Sequence, residues 1–251
     1  MRIDKYLVEK GFFDSRTKAQ EALKSQAVLV NGLVVDKPNF ELNSEADIKI
    51  VKDVCPYVSR GGLKLKGAID AFNLDFKDKI VLDIGASTGG FTDCAIKEGA
   101  KLIYAVDVGT NQLAPSLRNK KEVISLEQTN ILDIDAFPTP LNFLVMDVSF
   151  VSIEKLLPAI NRFITDDNAL ICLIKPQFEV GKRFLKNGIV KDKKLHLEVL
   201  KNVSTALANY GLIIYKLIPS PILGGSGNKE FLAYIKRGNK SNINLLEVVK
   251  G

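Results

Sequence analysis

The stretch Ile80-Val81-Leu82-Asp83-Ile84-Gly85-Ala86-Ser87-Thr88-Gly89-Gly90-Phe91 decides how this chain folds. Its first five residues are typical of a buried strand, and the glycines that follow allow a tight turn and a close approach of a ligand. From Phe91 to Glu98 the pattern predicts a helix. A strand, a tight loop and a helix N-terminus form the unit that holds nucleotide-like ligands at the carboxyl edge of a parallel sheet.

The spacing of these glycines indicates which ligand the loop holds. It reads G-x-x-x-G-G rather than G-x-G-x-x-G, so the fingerprint that cradles a pyrophosphate is absent. An acid at the end of the strand suits a cationic or hydroxyl-rich ligand better than a phosphate. We therefore predict S-adenosylmethionine, held by Asp83, Gly85, Ala86, Ser87, Thr88, Gly89, Gly90 and Phe91. The alternative is an ordinary turn in which the glycines serve packing.

Length and composition limit the class of protein. The chain has 251 residues, which permits one large domain or a large one and a small one. Apolar residues make up 46%, and no apolar run approaches the ~18–20 residues that span a membrane. The N-terminus lacks the apolar core of a secretory signal. Three distant cysteines, Cys55, Cys94 and Cys172, predict neither a disulfide framework nor a metal site, and favour the cytoplasm.

Charge is unevenly distributed along the chain. The net charge is +6, yet residues 181–251 alone contain 13 Lys and Arg against 4 Asp and Glu. This block, which includes Lys182 and Arg183, predicts a side that faces a polyanion. A solvated lysine-rich face is the alternative. The one histidine, His196, lies in this block and is expected to face solvent.

Residues 1–52 are predicted to form a small α+β domain of their own. Apolar spacing indicates helices over residues 2–10 and 16–24, with Ser15 as the N-cap of the second. Residues 28–35 read as two short strands about Asn31-Gly32, the strongest short signal for a hairpin, and another strand covers residues 46–51.

These elements resemble the S4 RNA-binding domain. The resemblance is carried by Arg2-Ile3-Asp4-Lys5-Tyr6-Leu7, by Ser15-Arg16-Thr17-Lys18-Ala19 and by Val28-Leu29-Val30-Asn31-Gly32. It implies a basic RNA-facing surface built from the second helix and the hairpin. Residues 1–60 contain 10 basic and 9 acidic side chains, so this domain has almost no net charge. RNA binding would therefore depend on a local basic patch, which would contribute more to orienting the RNA than to affinity. The candidate RNA contacts are Arg2, Lys5, Arg16, Lys18, Lys24, Arg60, Lys182 and Arg183.

After a linker at residues 53–62, residues 63–251 are predicted to form an α/β domain. An amphipathic helix carries Leu63 to Phe72, and strands are predicted at residues 80–84, 102–107, 122–126, 142–148, 169–175, 212–218 and 230–236. Their near-continuous apolar runs favour a parallel sheet covered on both faces. The last strand follows a long loop and is expected at the edge. Seven strands with a late hairpin-like addition resemble the class I, Rossmann-like methyltransferase sheet.

Ligands of such sheets bind beyond the carboxyl ends of the strands. Asp107 closes the second strand and suits ribose hydroxyls, while Asp133 could reach an adenine amino group. Asp147 ends the fourth strand and Lys175 the fifth, so these two residues are expected to be neighbours. Each acid could instead be a helix cap, and the Lys175–Asp147 pair could be purely structural.

Taken together, the chain resembles the hemolysin A-like ribosomal RNA 2′-O-methyltransferases, in which an S4 domain precedes an FtsJ-like methyltransferase domain. The resemblance is strongest at residues 57–65, in the loop of residues 83–91, and at residues 147–150, 175–179 and 227–231. It implies S-adenosylmethionine as cofactor and cytidines of ribosomal RNA as acceptors. Family members with compact termini are expected to act on the large subunit alone, so the resemblance of this compact chain implies 23S rRNA as the target. It also implies a Lys-Asp-Lys-Glu tetrad, matched here by Lys64, Asp147, Lys175 and Glu230.

Three other classes stay open at this stage. A pore-forming or lytic protein, as the family's historical name suggests, needs an amphipathic or membrane-spanning element that the sequence does not show. A non-catalytic RNA-binding protein would not need the tetrad. An NAD-dependent oxidoreductase is disfavoured by the missing G-x-G-x-x-G.

Overall fold

The computed structural model describes residues 1–24, 27–42, 46–50, 55–224 and 227–250, with only the backbone described at Val34 and Lys182. The chain divides into two compact units, Met1–Ser59 and Arg60–Gly251. Of the linker predicted at residues 53–62, residues 53 and 54 lie outside the described residues, as do residues 51 and 52.

The first unit packs two helices and a small antiparallel sheet around one core. Helices α1 (Ile3–Glu9) and α2 (Arg16–Lys24) precede strands β1 (Val28–Val30), β2 (Leu33–Val34) and β3 (Ile48–Ile50), in the order β2-β1-β3. The Ser15 hydroxyl accepts a hydrogen bond from Lys18 N at 3.3 Å and so caps α2 as predicted. Asn31 and Gly32 both have positive φ, as a type I′ hairpin turn requires.

The described part of the second unit contains a seven-stranded sheet, as predicted. Its order is β6-β5-β4-β7-β8-β10-β9; the first five strands are parallel, and β10 is antiparallel to both of its neighbours. Most residues of the buried strands are apolar on both faces, with Asp83 as an exception, which is why the strands read as apolar runs. The strands are β4 (Ile80–Ile84), β5 (Leu102–Val106), β6 (Val123–Leu126), β7 (Phe143–Met146), β8 (Ala169–Ile174), β9 (Leu212–Pro219) and β10 (Phe231–Arg237).

The expectation that the last strand lies at the edge is wrong. β10 is inserted between β8 and β9, and β9 is the edge strand. Burial explains the difference, because Phe231, Leu232 and Ala233 are fully buried in succession, whereas Tyr215 of β9 is 56% exposed. A strand with both faces covered belongs inside the sheet.

Helices cover both faces of the sheet. They are α3 (Gly61–Phe72), α4 (Gly90–Lys97), α5 (Pro115–Arg118), α6 (Leu157–Phe163), α7 (Pro176–Glu179), α8 (Lys193–Ala208) and α9 (Leu245–Lys250), with single 3₁₀ turns at Ile131–Asp133, Ile153–Leu156 and Lys182–Phe184. α3 contacts α4 and β10, while α8 contacts β9 and α9. Across the described ranges, none of these helices has both the length and the apolar content needed to cross a bilayer.

The prediction that His196 faces solvent is wrong. His196 is 3% exposed, because it shares one face of α8 with Val199, Leu200 and Val203. Its Nε2 lies 3.0 Å from the carbonyl oxygen of Val190, to which it donates a hydrogen bond. Burial lowers the pKa of this imidazole. The neighbouring Lys193, Lys194 and Lys201 are exposed, so local composition was a poor guide to the burial of His196.

Candidate active site

A buried ion pair connects α3 to the start of β10. The Nζ atom of Lys64 donates a hydrogen bond of 2.6 Å to Oε2 of Glu230. The two residues are only 8% and 2% exposed. Lys64 interrupts the apolar face of its helix, and such a buried lysine persists only with a partner.

A second ion pair joins the ends of two neighbouring parallel strands. Asp147 follows β7 and Lys175 follows β8, and Lys175 Nζ lies 2.6 Å from Asp147 Oδ1. The same ammonium donates a hydrogen bond of 2.9 Å to the hydroxyl of Ser149. The expected neighbourhood of the two strands is therefore confirmed.

The two ion pairs lie side by side at the carboxyl ends of the parallel strands β7 and β8. β10 pairs antiparallel with β8, with Phe231 opposite Ile174. Glu230 and Lys175 are the next residues beyond that pair on their respective strands. Directly opposed residues of antiparallel strands have Cα atoms about 4.5–5.5 Å apart. All four residues of the predicted tetrad therefore come together.

A cavity of about 590 Å³ opens beside Asp147. Three of the predicted cofactor residues, Gly85, Ser87 and Asp107, line it. Asp107 accepts hydrogen bonds from Ser87 N at 2.8 Å and Gly109 N at 2.7 Å, which fixes its carboxylate at the cavity wall. Gly85 has φ +81°, and a Cβ there would lie 2.9 Å from Val148 Cγ1. The glycine thus keeps this wall open.

Other predicted cofactor residues shape the loop without lining this cavity. Asp83 is fully buried, and its Oδ2 accepts a 2.6 Å hydrogen bond from the Thr92 hydroxyl. Burial, aided by the charges of Asp147 and Asp107, raises the pKa of Asp83 to about 7. The turn and the first residues of α4 comprise Ala86, Thr88, Gly89, Gly90 and Phe91.

Asp133, predicted to reach adenine, also lies outside the lining of this cavity. It is an exposed residue of the 3₁₀ turn Ile131–Asp133, whose other residues, Ile131 and Leu132, do line the cavity. The sequence therefore located the correct segment, but in the structure the cavity wall is formed by Ile131 and Leu132 rather than by Asp133.

Several lining residues were missed by sequence reasoning, and Phe150 is the most unusual of them. Phe150 is 91% exposed, and its backbone has a left-handed φ of +65°, which is unfavourable for a residue with a side chain. The Phe150 and Phe178 rings have centroids 4.9 Å apart. A large exposed aromatic at a strained position is a candidate binding residue. Sequence reasoning also missed Val108, Gln112, Asn130, Ser149 and Lys155.

In the first unit, two predicted RNA contacts share one buried acid. Asp4 is fully buried and accepts hydrogen bonds from Arg2 Nη2 at 3.1 Å and Arg16 Nη2 at 2.9 Å, both on Oδ2. Gln20 Nε2 donates to the same oxygen at 2.8 Å. These partners hold the pKa of Asp4 well below its usual range, against the opposing effect of burial. Both arginine side chains remain about half exposed, at 49% and 54%.

The remaining predicted RNA contacts are distributed over both units. Lys5 pairs with Glu9, Lys18 pairs with Asp14 at 2.7 Å, and Lys24 is exposed at the end of α2. In the second unit, Arg60 donates a hydrogen bond to the Leu223 carbonyl, and Arg183 stacks on the Phe184 ring. The Lys182 side chain is not among those described.

The sheet order, the cavity at its carboxyl edge and the Lys-Asp-Lys-Glu cluster define a class I methyltransferase. A family model of the FtsJ-like methyltransferases matches residues 57–237, and the S4 domain model matches residues 1–48. The chain belongs to the FtsJ-like methyltransferase family and carries an S4 domain at its N-terminus, which confirms the predicted family and the predicted enzyme class.

Similar proteins carry both names expected for this family. Hemolysin A of Brachyspira hyodysenteriae is 41% identical over 93% of this chain and 99% of its own. The 16S/23S rRNA (cytidine-2′-O)-methyltransferase TlyA of Mycobacterium tuberculosis is 36% identical over 94% and 89%. The 23S rRNA (cytidine-2′-O)-methyltransferase TlyA of Campylobacter jejuni is 36% identical over 93% and 98%. A solved structure from Streptococcus thermophilus, described as a candidate hemolysin, is 40% identical with a TM-score of 0.79 over 100% and 94% of the two chains.

Proposed function

We propose that this protein transfers the methyl group of S-adenosylmethionine to the ribose 2′-oxygen of a cytidine in ribosomal RNA. The observation that carries this proposal is the pair of Lys–acid ion pairs at the sheet edge, one of which borders the cavity. Two relatives whose names specify cytidine-2′-O methylation of rRNA support the same acceptor.

The residues around the cavity fit the proposed cofactor. Its volume lies within the range of about 300–1,000 Å³ that is usual for small-molecule sites. Asp107 presents a carboxylate suited to ribose hydroxyls, and the wall at Gly85 has no room for a Cβ. When bound, S-adenosylmethionine supplies an electrophilic methyl group on a sulfonium.

The tetrad would act on the acceptor hydroxyl. A 2′-hydroxyl is a weak nucleophile until its proton leaves or the charge developing on its oxygen is stabilised. Lys175, whose ammonium contacts Asp147 and Ser149, would stabilise that oxygen. Lys64 adds a second positive charge nearby, and Glu230 holds Lys64 in position.

The S4 unit and the exposed Phe150 suit RNA as the substrate. The side chains of Arg2 and Arg16 are about half exposed, and charged guanidinium donors form strong hydrogen bonds with phosphate. An exposed phenylalanine beside the tetrad offers a stacking surface for a base that has left its helix. We propose 23S rRNA as the preferred target, because the names of the Mycobacterium tuberculosis and Campylobacter jejuni relatives reported above both include it.

The test is transfer of labelled methyl from S-adenosylmethionine to purified, unmodified ribosomal subunits, followed by nucleoside analysis. We expect label in 2′-O-methylcytidine of the large subunit. Label in the small subunit as well would widen the target. Absence of label from both subunits, despite measurable cofactor binding, would overturn ribosomal RNA as the acceptor.

A further inference from the structure

Gln177 contacts the carboxylate of one of the two ion pairs of the tetrad. It lies in α7, two residues beyond Lys175, and its Nε2 donates a 2.8 Å hydrogen bond to Oε1 of Glu230. The other carboxylate oxygen of Glu230, Oε2, accepts from Lys64 at 2.6 Å. Each oxygen of Glu230 is therefore assigned to a different partner.

Glu230 has two lysines within its neighbourhood. Lys64 reaches it from α3, and Lys175 lies opposite it across the β8–β10 ladder, one position beyond the Ile174–Phe231 pair. A carboxylate that is 2% exposed in this position will pair with whichever ammonium its rotamer allows. A neighbouring group must therefore hold the Glu230 side chain in the rotamer that faces Lys64.

The surroundings of Glu230 leave that task to Gln177. On one side lies Gly224, where a Cβ would overlap Oε1, so the absence of a side chain there makes room for the carboxylate. On the other side, the amide of Gln177 supplies a neutral donor that occupies Oε1 without adding a charge. An ammonium at this position would compete with Lys64, and a carboxylate would repel Glu230.

Gln177 also has an unusual orphan atom. Its Oε1 is buried and accepts no hydrogen bond from any described residue. Buried polar atoms without partners cost stability, and folded proteins retain few of them. The amide is thus oriented by its bond to Glu230 at the expense of its own oxygen.

We propose that Gln177 is a positioning residue, which directs Glu230 to Lys64 and thereby leaves Lys175 to Asp147 and the acceptor oxygen. This inference rests on the proposed methyl transfer. Gln177 touches no reacting atom in this role. It acts through Glu230, so its removal would misplace the charges of the tetrad while leaving the cofactor cavity intact.

The test is Gln177→Met, which preserves the size of the side chain and removes the donor. We expect kcat for methyl transfer to fall about 10- to 100-fold, the usual cost of losing an orienting partner, with the KM values for both substrates within about 3-fold. Ser204→Ala, which removes a 2.7 Å hydrogen bond to the Leu200 carbonyl on α8, serves as the control and keeps the wild-type kcat.

A double-substitution cycle separates positioning from a general structural role. If Gln177 acts through Glu230, adding Gln177→Met to Glu230→Gln lowers kcat no more than about 2-fold beyond Glu230→Gln alone. Full additivity, a wild-type kcat for Gln177→Met, or an effect confined to KM would overturn the inference. A wild-type enzyme that methylates no RNA would instead overturn the proposed function, so the two failures are distinguishable.

Discussion

At the scale of single residues, Lys175 carries the proposed chemistry. Its ammonium is held by Asp147 and Ser149 at the border of the cavity, yet Lys175 itself is not among the residues that line it. Substitution should therefore separate turnover from cofactor binding. The same separation would distinguish a methyltransferase from an RNA-binding protein in which the sheet is only a scaffold.

We expect Lys175→Ala to lose about 100- to 1,000-fold in kcat, since it removes the charge that stabilises the developing oxyanion. The dissociation constant for S-adenosylmethionine, measured by calorimetry, should stay within about 3-fold, because Lys175 itself does not line the cavity. Loss of cofactor binding in the variant would contradict the role assigned to Lys175.

Asp83 predicts a pH dependence of stability at the same scale. Its folded-state pKa is raised to about 7, above the 3.8 of an exposed aspartate, so between these pH values the native state binds more protons than the unfolded state. The contribution of Asp83 to stability therefore falls as pH rises from about 4 to about 7 and then levels off. Asp83→Asn should remove this slope.

Urea midpoints of both proteins, measured from about pH 4 to about pH 8, test this expectation. The wild type should lose stability relative to Asp83→Asn across the range. Parallel profiles for the two proteins would show that Asp83 is ionised throughout, and the cause assigned to its pKa shift would be wrong.

At the scale of elements, the loop between β9 and β10 limits the positions that the Lys64–Glu230 ion pair can take. Pro221 lies where a Cβ on Gly67 of α3 would fall, and Leu223 accepts a hydrogen bond from Arg60. Gly224 then touches the Glu230 carboxylate. The loop is therefore packed against the helix that carries Lys64, and its position is coupled to that of the ion pair.

Gly224→Ala should displace Glu230 and reduce kcat by about 10-fold or more, because a Cβ overlaps its carboxylate oxygen. Gly181→Ala is the matched control, since Gly181 lacks a positive φ and a Cβ there meets only Phe184 at 3.9 Å. Steady-state kinetics of both variants, together with their melting temperatures, provide the measurement. Equal activity of the two would show that Glu230 tolerates displacement.

At the scale of the whole molecule, charge distribution governs the encounter with RNA. The chain carries +6 overall, and Arg2 and Arg16 project from the first unit with about half of each side chain exposed. Each phosphate contact releases counterions and so contributes to the salt dependence of binding. The contribution of the two arginines should therefore be measurable as a change in the slope of log K against log salt.

The double substitution Arg2→Ala and Arg16→Ala should weaken RNA binding and reduce the slope of log K against log salt by about 0.7 to 0.9 for each lost contact. Lys120→Ala with Lys121→Ala removes the same charge from an exposed site elsewhere and serves as control. Filter binding over a range of salt concentrations gives both slopes. Identical slopes for the two variants would argue against phosphate contacts by the arginines.

The hemolysin name of one relative also makes a prediction for the whole molecule. A membrane-active protein must release dye from liposomes, whereas an RNA methyltransferase should not. We expect no release at concentrations that give full methyl transfer. Dye release that persists in Lys175→Ala would indicate a second, independent activity.

The local elements were largely determined by the sequence itself. All seven strands of the sheet, the hairpin at Asn31-Gly32 and the cap at Ser15 were predicted, because side-chain periodicity and turn chemistry are properties of neighbouring residues. The family resemblance further named Lys64, Asp147, Lys175 and Glu230, which lie far apart in the chain.

Only the tertiary structure decided which of these residues meet and how. The insertion of β10 inside the sheet places Glu230 opposite Lys175, and the packing of α3 brings Lys64 to Glu230. Gln177 then donates a hydrogen bond to the same carboxylate. Burial of His196 and Asp83 likewise depends on what packs against them. Strand order and burial arise from contacts between distant segments, and no local pattern encodes those contacts.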